Sequence, residues 1–159
     1  MIDGNELVEA LEREGVTHVV WIPDSELGTW EPALSSAKSL ALIRVCREGE
    51  AFAIAAGLWL GGKKPIVVVQ CTGLFEAGDA LRNVLHDLQL PLFFIVGVRS
   101  WHVHQQGKGV DTCPIFTEPI LQAWRVPYDL LADAAAGDVS AAYRRCLAEG
   151  TARALLIAE

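Results

Sequence analysis

The sequence predicts an α/β fold: a three-layer, doubly wound sheet of about six mainly parallel strands with helices on both faces. Short, almost uninterrupted apolar runs such as Leu92–Val98 recur along the chain, which is typical of strands buried on both faces of a parallel sheet. Segments with helical spacing separate these runs, as βαβ units require. The chain has 159 residues, 52% of them hydrophobic, and we expect a single domain over residues 1–159.

The first half of the chain alternates helical and extended segments. Leu7, Ala10 and Leu11 recur at helical spacing ahead of Gly15, which is a typical helix stop. The predicted elements are, in order, a helix over Asp3–Glu14, a strand over His18–Pro23, a weak helix over Asp24–Ser36, a strand over Leu40–Cys46, a helix over Glu48–Leu60 and a strand over Pro65–Cys71.

The second half repeats this alternation. A helix is expected to begin at Thr72 or Gly73, and Asp138 is expected to cap a last helix that ends at Gly150. The other predicted elements are a strand over Leu92–Val98, a polar loop over Arg99–Thr112, a helix over Pro114–Trp124, a short strand over Val126–Leu130 and a strand over Ala154–Ile157.

The carboxyl ends of the strands are the expected ligand-binding edge, because ligands of open parallel sheets bind there. Four segments of the chain follow predicted strands at that edge. They are Pro23–Ser25, Arg47–Glu50, Cys71–Gly73 and Arg99–Gly109.

Glu48 is the most prominent residue of these segments, because the helix that it opens carries no further charge after Glu50. A helix that is apolar on all sides is normally buried, and a carboxylate at its mouth is costly without a partner or a function. The alternative is that Glu48 stabilises the helix dipole, which is worth about 0.3–1 kcal/mol. Glu50 should point elsewhere, as a dipole or surface group.

Short polar pairs follow two other strands. Thr72 and Gly73 can either cap the next helix or let a ligand approach the backbone. Asp24 and Ser25 carry the same two interpretations, as a helix cap or as contacts to a substrate. Capping is the commoner use of such residues.

The loop after Val98 is polar and carries two histidines, His102 and His104, which could share one face of an extended segment. Either could meet a substrate anion or transfer a proton, or both could be ordinary exposed side chains. Together with Cys113 they could bind zinc, but no fourth ligand stands at a recognisable spacing.

Composition argues against several classes of protein. A net charge of −7 disfavours non-specific nucleic-acid binding, and no apolar run is long enough to span a membrane. The chain starts with a polar segment that does not look like a signal peptide, and its four cysteines are widely spaced. These features favour a cytoplasmic protein with reduced thiols. The nucleotide-binding and hydrolase glycine motifs are absent from the sequence.

The ordered set of motifs resembles the pyrimidine-binding domain of thiamine-diphosphate enzymes. Arg47–Gly57, R-E-G-E-A-F-A-I-A-A-G, is similar to the family's glutamate that precedes a glycine by nine residues on a helix of small residues; here these are Glu48 and Gly57. The segments G-G-K-K-P-I-V-V-V-Q-C-T-G-L, L-P-L-F-F-I-V-G-V and P-I-L-Q-A-W-R-V-P-Y are similar to later parts of that domain. Sulfopyruvate and phosphonopyruvate decarboxylases are the members that it resembles most.

This resemblance implies a cofactor and a role for Glu48. The domain would hold the aminopyrimidine ring of thiamine diphosphate, and Glu48 would hydrogen-bond a ring nitrogen and promote the imino form that activates the thiazolium. Thr72, Gly73 and Cys71 would line the cofactor pocket. The implied reaction is decarboxylation of a 2-oxo acid, with Asp24 and Ser25 as substrate contacts and His102 or His104 as a proton-transfer group.

One motif departs from the resemblance. Sulfopyruvate and phosphonopyruvate decarboxylases usually read Q-N-S-G-L-G-N after the third strand, where this chain has Cys71 and Glu76 in place of the two asparagines and Phe75 in place of the second glycine. Cysteine offers no amide to an anion and glutamate repels one. These replacements argue against a sulfonate or phosphonate substrate.

The second half of such an active site is not found in the sequence. The diphosphate and Mg²⁺ motif of these enzymes, G-D-G followed by an asparagine, is missing, and the only asparagines are Asn5 and Asn83. We therefore expect a partner, a β subunit that holds diphosphate and Mg²⁺, in an α/β hetero-oligomer that also self-associates. The alternatives are a carboligase subunit with the same cofactor, or a non-catalytic binding or regulatory domain of the same fold.

Overall fold

A computed structural model describes residues 2–25 and 27–159, which build one parallel six-stranded sheet in the order β2-β1-β3-β4-β6-β5. Each neighbouring pair is parallel, and the register aligns Val20 with Ile43 on one side and with Val67 on the other. The strands are β1 (His18–Trp21), β2 (Ala41–Arg44), β3 (Pro65–Gln70), β4 (Phe93–Val98), β5 (Tyr128–Leu131) and β6 (Arg153–Ala158).

Helices cover both faces of the sheet. They are α1 (Gly4–Arg13), α2 (Glu31–Ser36), α3 (Glu48–Leu60), α4 (Cys71–Arg82), α5 (Trp101–Gln105), α6 (Cys113–Ala123) and α7 (Ala136–Glu149), with a 3₁₀ turn at Leu27–Trp30 and a π-helical turn at Asn83–Asp87. On one face α1, α2 and α7 enclose Trp21, Trp30 and Tyr143; on the other, α3, α4 and α6 enclose Phe52 and Phe94. The predicted three-layer α/β fold is confirmed.

Three predicted boundaries were wrong. Cys71 is the first residue of α4 and not the last of β3, and the segment expected as a loop over Arg99–Thr112 contains the short helix α5. The last helix starts at Ala136, with Ala135 as its N-cap residue. Asp138 lies in its first turn, where its carboxylate accepts a hydrogen bond of 2.9 Å from the Ala135 N–H, so it caps the helix from inside.

The weak helix expected over Asp24–Ser36 is divided into the 3₁₀ turn and α2, and Glu26 lies outside the described residues. Asp24 Oδ1 accepts a hydrogen bond of 2.8 Å from the N–H of Leu27, the first residue of the 3₁₀ turn. Pro32 stands at the start of α2, where a proline is tolerated because its missing N–H would have no partner in the helix.

The expectation that α3 is buried on all sides was wrong. Ala51, Phe52 and Ala55 face the sheet, but the opposite side exposes Ala53 and Leu60, the latter with 68% of its surface accessible. The helix is apolar all round, yet only its inner stripe meets the core. Its outer stripe is an exposed apolar surface of the kind that marks an interaction site.

Candidate functional site

The candidate site lies where β2, β3 and β4 reach the carboxyl edge of the sheet. Arg47 and Glu48 follow β2, Cys71 follows β3, and Arg99 follows β4. Since α3 and α4 start at this edge and pack against each other, the residues that open these two helices come together. Three of the four segments expected at this edge therefore form one surface.

The side chain of Glu48 lies against Gly73. A Cβ atom added to Gly73 would stand 2.6 Å from Oε1 and 2.8 Å from Cδ of Glu48, which is closer than real Cβ contacts come. Only glycine at this position leaves the carboxylate in its observed place. Glu48 is half-buried, and among the described residues no hydrogen-bond donor meets its carboxylate, which leaves both oxygens able to bind a ligand.

Glu76 binds the start of α3. Its Oε1 accepts a hydrogen bond of 3.0 Å from Nε of Arg47, and its Oε2 accepts one of 3.0 Å from the N–H of Gly49. The hydrogen bond from Arg47 is the main cause that lowers the pKa of Glu76. The sequence analysis expects the negative charge of Glu76 to repel an anionic substrate. In the structure this charge is balanced by the guanidinium of Arg47 and by the N-terminus of α3.

Thr72 is exposed at the edge, and its Oγ1 donates a hydrogen bond of 3.2 Å to Oε1 of Gln70. Cys71 differs, because its side chain has no accessible surface. Burial raises the pKa of the Cys71 thiol and raises that of Cys113 to about 12. The Cys71 thiol therefore packs beneath the edge as a neutral group, one residue from Thr72.

Asp24 and Ser25 follow β1, between β2 and β3 in the sheet. Asp24 is half-buried and its Oδ1 caps the 3₁₀ turn, which is the interpretation that the sequence favours for a residue of this kind. Ser25 is exposed in the turn that follows.

His102 and His104 both belong to α5, so they do not share a face as they would on an extended segment. The ring of His102 is exposed and packs edge-to-face with Trp101, with 5.2 Å between the ring centroids. Within residues 2–25 and 27–159, no three His, Cys, Asp or Glu side chains are grouped so that they could hold a metal ion. Cys113 is buried, and the zinc alternative has no geometric support.

An ion pair that the sequence analysis missed braces this edge. Arg99 Nε and Asp111 Oδ2 are 2.7 Å apart, Ser100 donates to the same oxygen at 3.1 Å, and the Cys113 N–H donates to Asp111 Oδ1 at 2.9 Å. Arg99 and the hydrogen bond from Cys113 hold the pKa of Asp111 well below its usual range. The cluster joins the end of β4 to the start of α6, and no spacing rule in the sequence links positions 99 and 111.

Comparison with known proteins places this chain in a family. Residues 4–113 match the thiamine pyrophosphate enzyme family at its N-terminal TPP binding domain. The chain belongs to this family. The matched range contains Glu48, Thr72, Gly73 and Glu76, and the resemblance to thiamine-diphosphate enzymes is confirmed.

The relatives of this chain include phosphonopyruvate decarboxylases and alpha subunits of sulfopyruvate decarboxylase. The chain is 36% identical over 100 residues to the phosphonopyruvate decarboxylase of Streptomyces viridochromogenes, covering 63% of this chain and 25% of that protein. It is 25% identical over 120 residues to sulfopyruvate decarboxylase subunit alpha of Methanococcus maripaludis, covering 76% of this chain and 71% of that subunit. The chain thus spans about a quarter of the length of the Streptomyces relative and most of the archaeal subunit.

Solved structures in the family share the fold. Benzoylformate decarboxylase from Polynucleobacter necessarius superimposes with a TM-score of 0.70 at 22% identity, over 99% of this chain and 30% of that one. The 4-hydroxybenzoylformate decarboxylase of Rhodococcus jostii superimposes with a TM-score of 0.72 at 17% identity, again over 99% of this chain and 30% of the other. Among the described residues, no helix combines the length and the apolar character that crossing a membrane requires.

Proposed function

We propose that this chain is the pyrimidine-binding subunit of a thiamine-diphosphate-dependent 2-oxo acid decarboxylase, similar to the sulfopyruvate and phosphonopyruvate decarboxylases. The observation that carries the proposal is the carboxylate of Glu48, which opens a helix at the carboxyl edge, rests on Gly73 and meets no hydrogen-bond donor within the described residues. A half-buried carboxylate with open lone pairs fits a protonatable ring nitrogen.

The residues at this edge fit an aminopyrimidine ring. Glu48 would hydrogen-bond the ring nitrogen, Gly73 would keep that carboxylate in place, and Thr72 would line the pocket with its exposed hydroxyl. Cys71 would contribute from below, through packing and its backbone. When bound, the cofactor supplies the electron sink that decarboxylation needs, whereas this chain binds, orients and tunes it.

The same edge carries two arginines, each paired with a carboxylate, that an anionic 2-oxo acid would meet. The side chain of Arg47 is 78% exposed, and that of Arg99 is 46% exposed, so both guanidinium groups reach solvent. We place substrate contacts at Asp24 and Ser25, which lie between the Arg47 and Cys71 segments in strand order. His102 and His104 stay candidates for proton transfer, because α5 follows directly on β4 at this edge.

We further propose that another polypeptide holds the diphosphate and Mg²⁺, with the cofactor at the interface between the two chains. Three archaeal relatives are named subunit alpha, and this chain has no G-D-G motif. The exposed apolar side of α3 supports such an interface. Its residues Ala53, Gly57 and Leu60, together with Leu88, line a groove of about 400 Å³. We expect an α/β hetero-oligomer, and the four free cysteines suit a cytoplasmic location.

The proposal is tested by co-purifying this chain with its partner and measuring CO₂ release from a panel of 2-oxo acids with thiamine diphosphate and Mg²⁺. Glu48→Gln keeps the size of the side chain but cannot exchange a proton, so we expect activity to fall by about 10²–10⁴-fold. Glu50→Gln is the matched control, because Glu50 lies in the same first turn but is exposed and accepts only a 3.4 Å hydrogen bond from the Cys46 N–H.

Three results would overturn or change the proposal. Equal activity of the wild-type and Glu48→Gln complexes would show that Glu48 has no role in the chemistry. Product formation only when an aldehyde is added would replace decarboxylation with carboligation. A chain that binds neither partner nor cofactor would have to be a binding or regulatory domain of this fold.

A further inference from the structure

Helix α3 begins without a cap from its own sequence. Arg47 is its N-cap residue and makes no side-chain hydrogen bond to the N–H groups of the first turn. These N–H groups have no partner inside the helix, and an uncapped first turn frays. Glu48 is the first helical residue, so its position depends on how this turn is held.

Glu76 supplies the missing cap from the neighbouring helix. Its Oε2 accepts from the N–H of Gly49, in the first turn of α3, at 3.0 Å. Its other oxygen binds the guanidinium of Arg47. The single carboxylate of Glu76 thus binds the residue before Glu48 and the residue after it.

The contacts of Glu76 and Gly73 converge on Glu48 from one face of α4. The two residues stand three apart and therefore lie on the same side of that helix. Gly73 meets the side chain of Glu48, and Glu76 binds the N–H of Gly49, the next residue along α3. Among the described helices, α3 and α4 make the most extensive contact with each other. This face of α4 therefore connects the residues that open α3 with those that open α4.

We propose that Glu76 is a positioning residue for Glu48: it fixes the first turn of α3 so that the Glu48 carboxylate keeps its place over Gly73. Among the described residues, Glu76 binds Arg47 and Gly49 on either side of Glu48, so it acts through Glu48. This inference rests on the proposed function of Glu48, and the experiment separates the two.

The experiment is a double-mutant cycle in the complex of this chain with its partner. Glu76→Ala should lower kcat on the order of 10²-fold, because a displacement of about 1 Å of a reacting group has an effect of that size. In the Glu48→Gln background the same Glu76→Ala change should lower kcat by less than about two-fold, since the group that it positions no longer functions. Glu50→Gln, a first-turn carboxylate that binds no residue of α4, is the control and should leave kcat unchanged.

A second measurement does not depend on activity. Amide hydrogen exchange of the peptide that contains Gly49 and Glu50, in the complex without cofactor, should be faster in Glu76→Ala than in wild type. Glu76→Gln keeps an acceptor for the Gly49 N–H and should exchange at nearly the wild-type rate. This variant also keeps the test valid if Glu76→Ala does not fold.

The outcomes are distinct. If Glu76→Ala lowers kcat equally in both backgrounds, or leaves exchange at Gly49 unchanged, Glu76 does not position Glu48 and the inference is wrong. If Glu48→Gln has full activity, the proposed function fails whatever Glu76 does. Loss of activity in Glu76→Ala that is absent from the Glu48→Gln background, together with faster exchange, supports both.

Discussion

At the scale of single residues, the position of the Glu48 side chain depends on the absence of a side chain at Gly73. The carboxylate occupies the space that any side chain at position 73 would take. The glycine is thus required by a close approach and not by a turn, because its φ is not in the left-handed region. The sequence analysis identified both residues as site candidates, but their contact could only be seen once α3 and α4 were packed.

Gly73→Ala is expected to displace the Glu48 carboxylate without removing any charged group. Overpacking of this kind typically costs about 1–3 kcal/mol, and the same cost placed on the cofactor-bound state lowers cofactor affinity by about 5- to 150-fold. Calorimetric titration of the complex with thiamine diphosphate and Mg²⁺ measures this loss. The control is Gly137→Ala on α7, where an added Cβ would meet nothing within 4 Å. Equal affinity of both variants would contradict the account of Gly73.

At the scale of elements, the ion pair of Arg99 and Asp111 joins β4 to α6 across a connection that contains α5. Arg99 also reaches Gln70 Oε1 at 3.5 Å, and that oxygen accepts the Thr72 hydroxyl. The end of β3, the end of β4 and the start of α6 are thus connected through two side chains. No pattern in the sequence indicates this connection, because eleven residues of varied composition lie between the two charged partners.

Asp111→Asn is expected to destabilise the chain by about 1 kcal/mol at pH 7, a modest value because Arg99 is half exposed. The pKa of Asp111 is lowered in the folded state, so its contribution is present above the unfolded pKa of about 4 and is lost as the pH falls further. Urea unfolding should therefore show the same difference from wild type at pH 7 and pH 5, and a smaller one at pH 3. Asp87→Asn removes a partner of Arg82 whose side chain is more exposed than that of Asp111, 54% against 18%, and should have a smaller effect. A difference that stays constant down to pH 3 would argue against this ion pair.

On the scale of the whole molecule, the parallel sheet and the two-sided helical layers follow from patterns that the sequence displays, but the strand order does not. Uninterrupted apolar strands such as β4 and helices between every pair of strands leave a doubly wound parallel sheet as the natural arrangement. The exposed side of α3 could not be predicted in this way, because Ala53 and Leu60 are as apolar as the residues that face the core. Periodicity identifies a buried stripe only when the opposite stripe is polar.

We expect the exposed side of α3 to bind the partner subunit. Leu60→Glu places a charge in the groove formed with Leu88, and we expect it to weaken binding of the partner subunit at least tenfold, as loss of a buried anchor does. Analytical ultracentrifugation of mixed subunits measures the affinity. Phe116→Glu is the control, because Phe116 on α6 is also apolar and is 51% exposed. If both variants bind the partner as tightly as wild type does, the groove is not the interface.

In the proposed function, the Glu48 carboxylate activates thiamine diphosphate in an active site that this chain completes. The most direct measurement is the rate at which the thiazolium C2 proton of the bound cofactor exchanges with deuterated solvent, followed by NMR in the complex with Mg²⁺. We predict that Glu48→Gln slows this exchange by about 10²-fold or more, whereas Glu50→Gln leaves it at the wild-type rate. Equal exchange rates in wild type and Glu48→Gln would contradict the account.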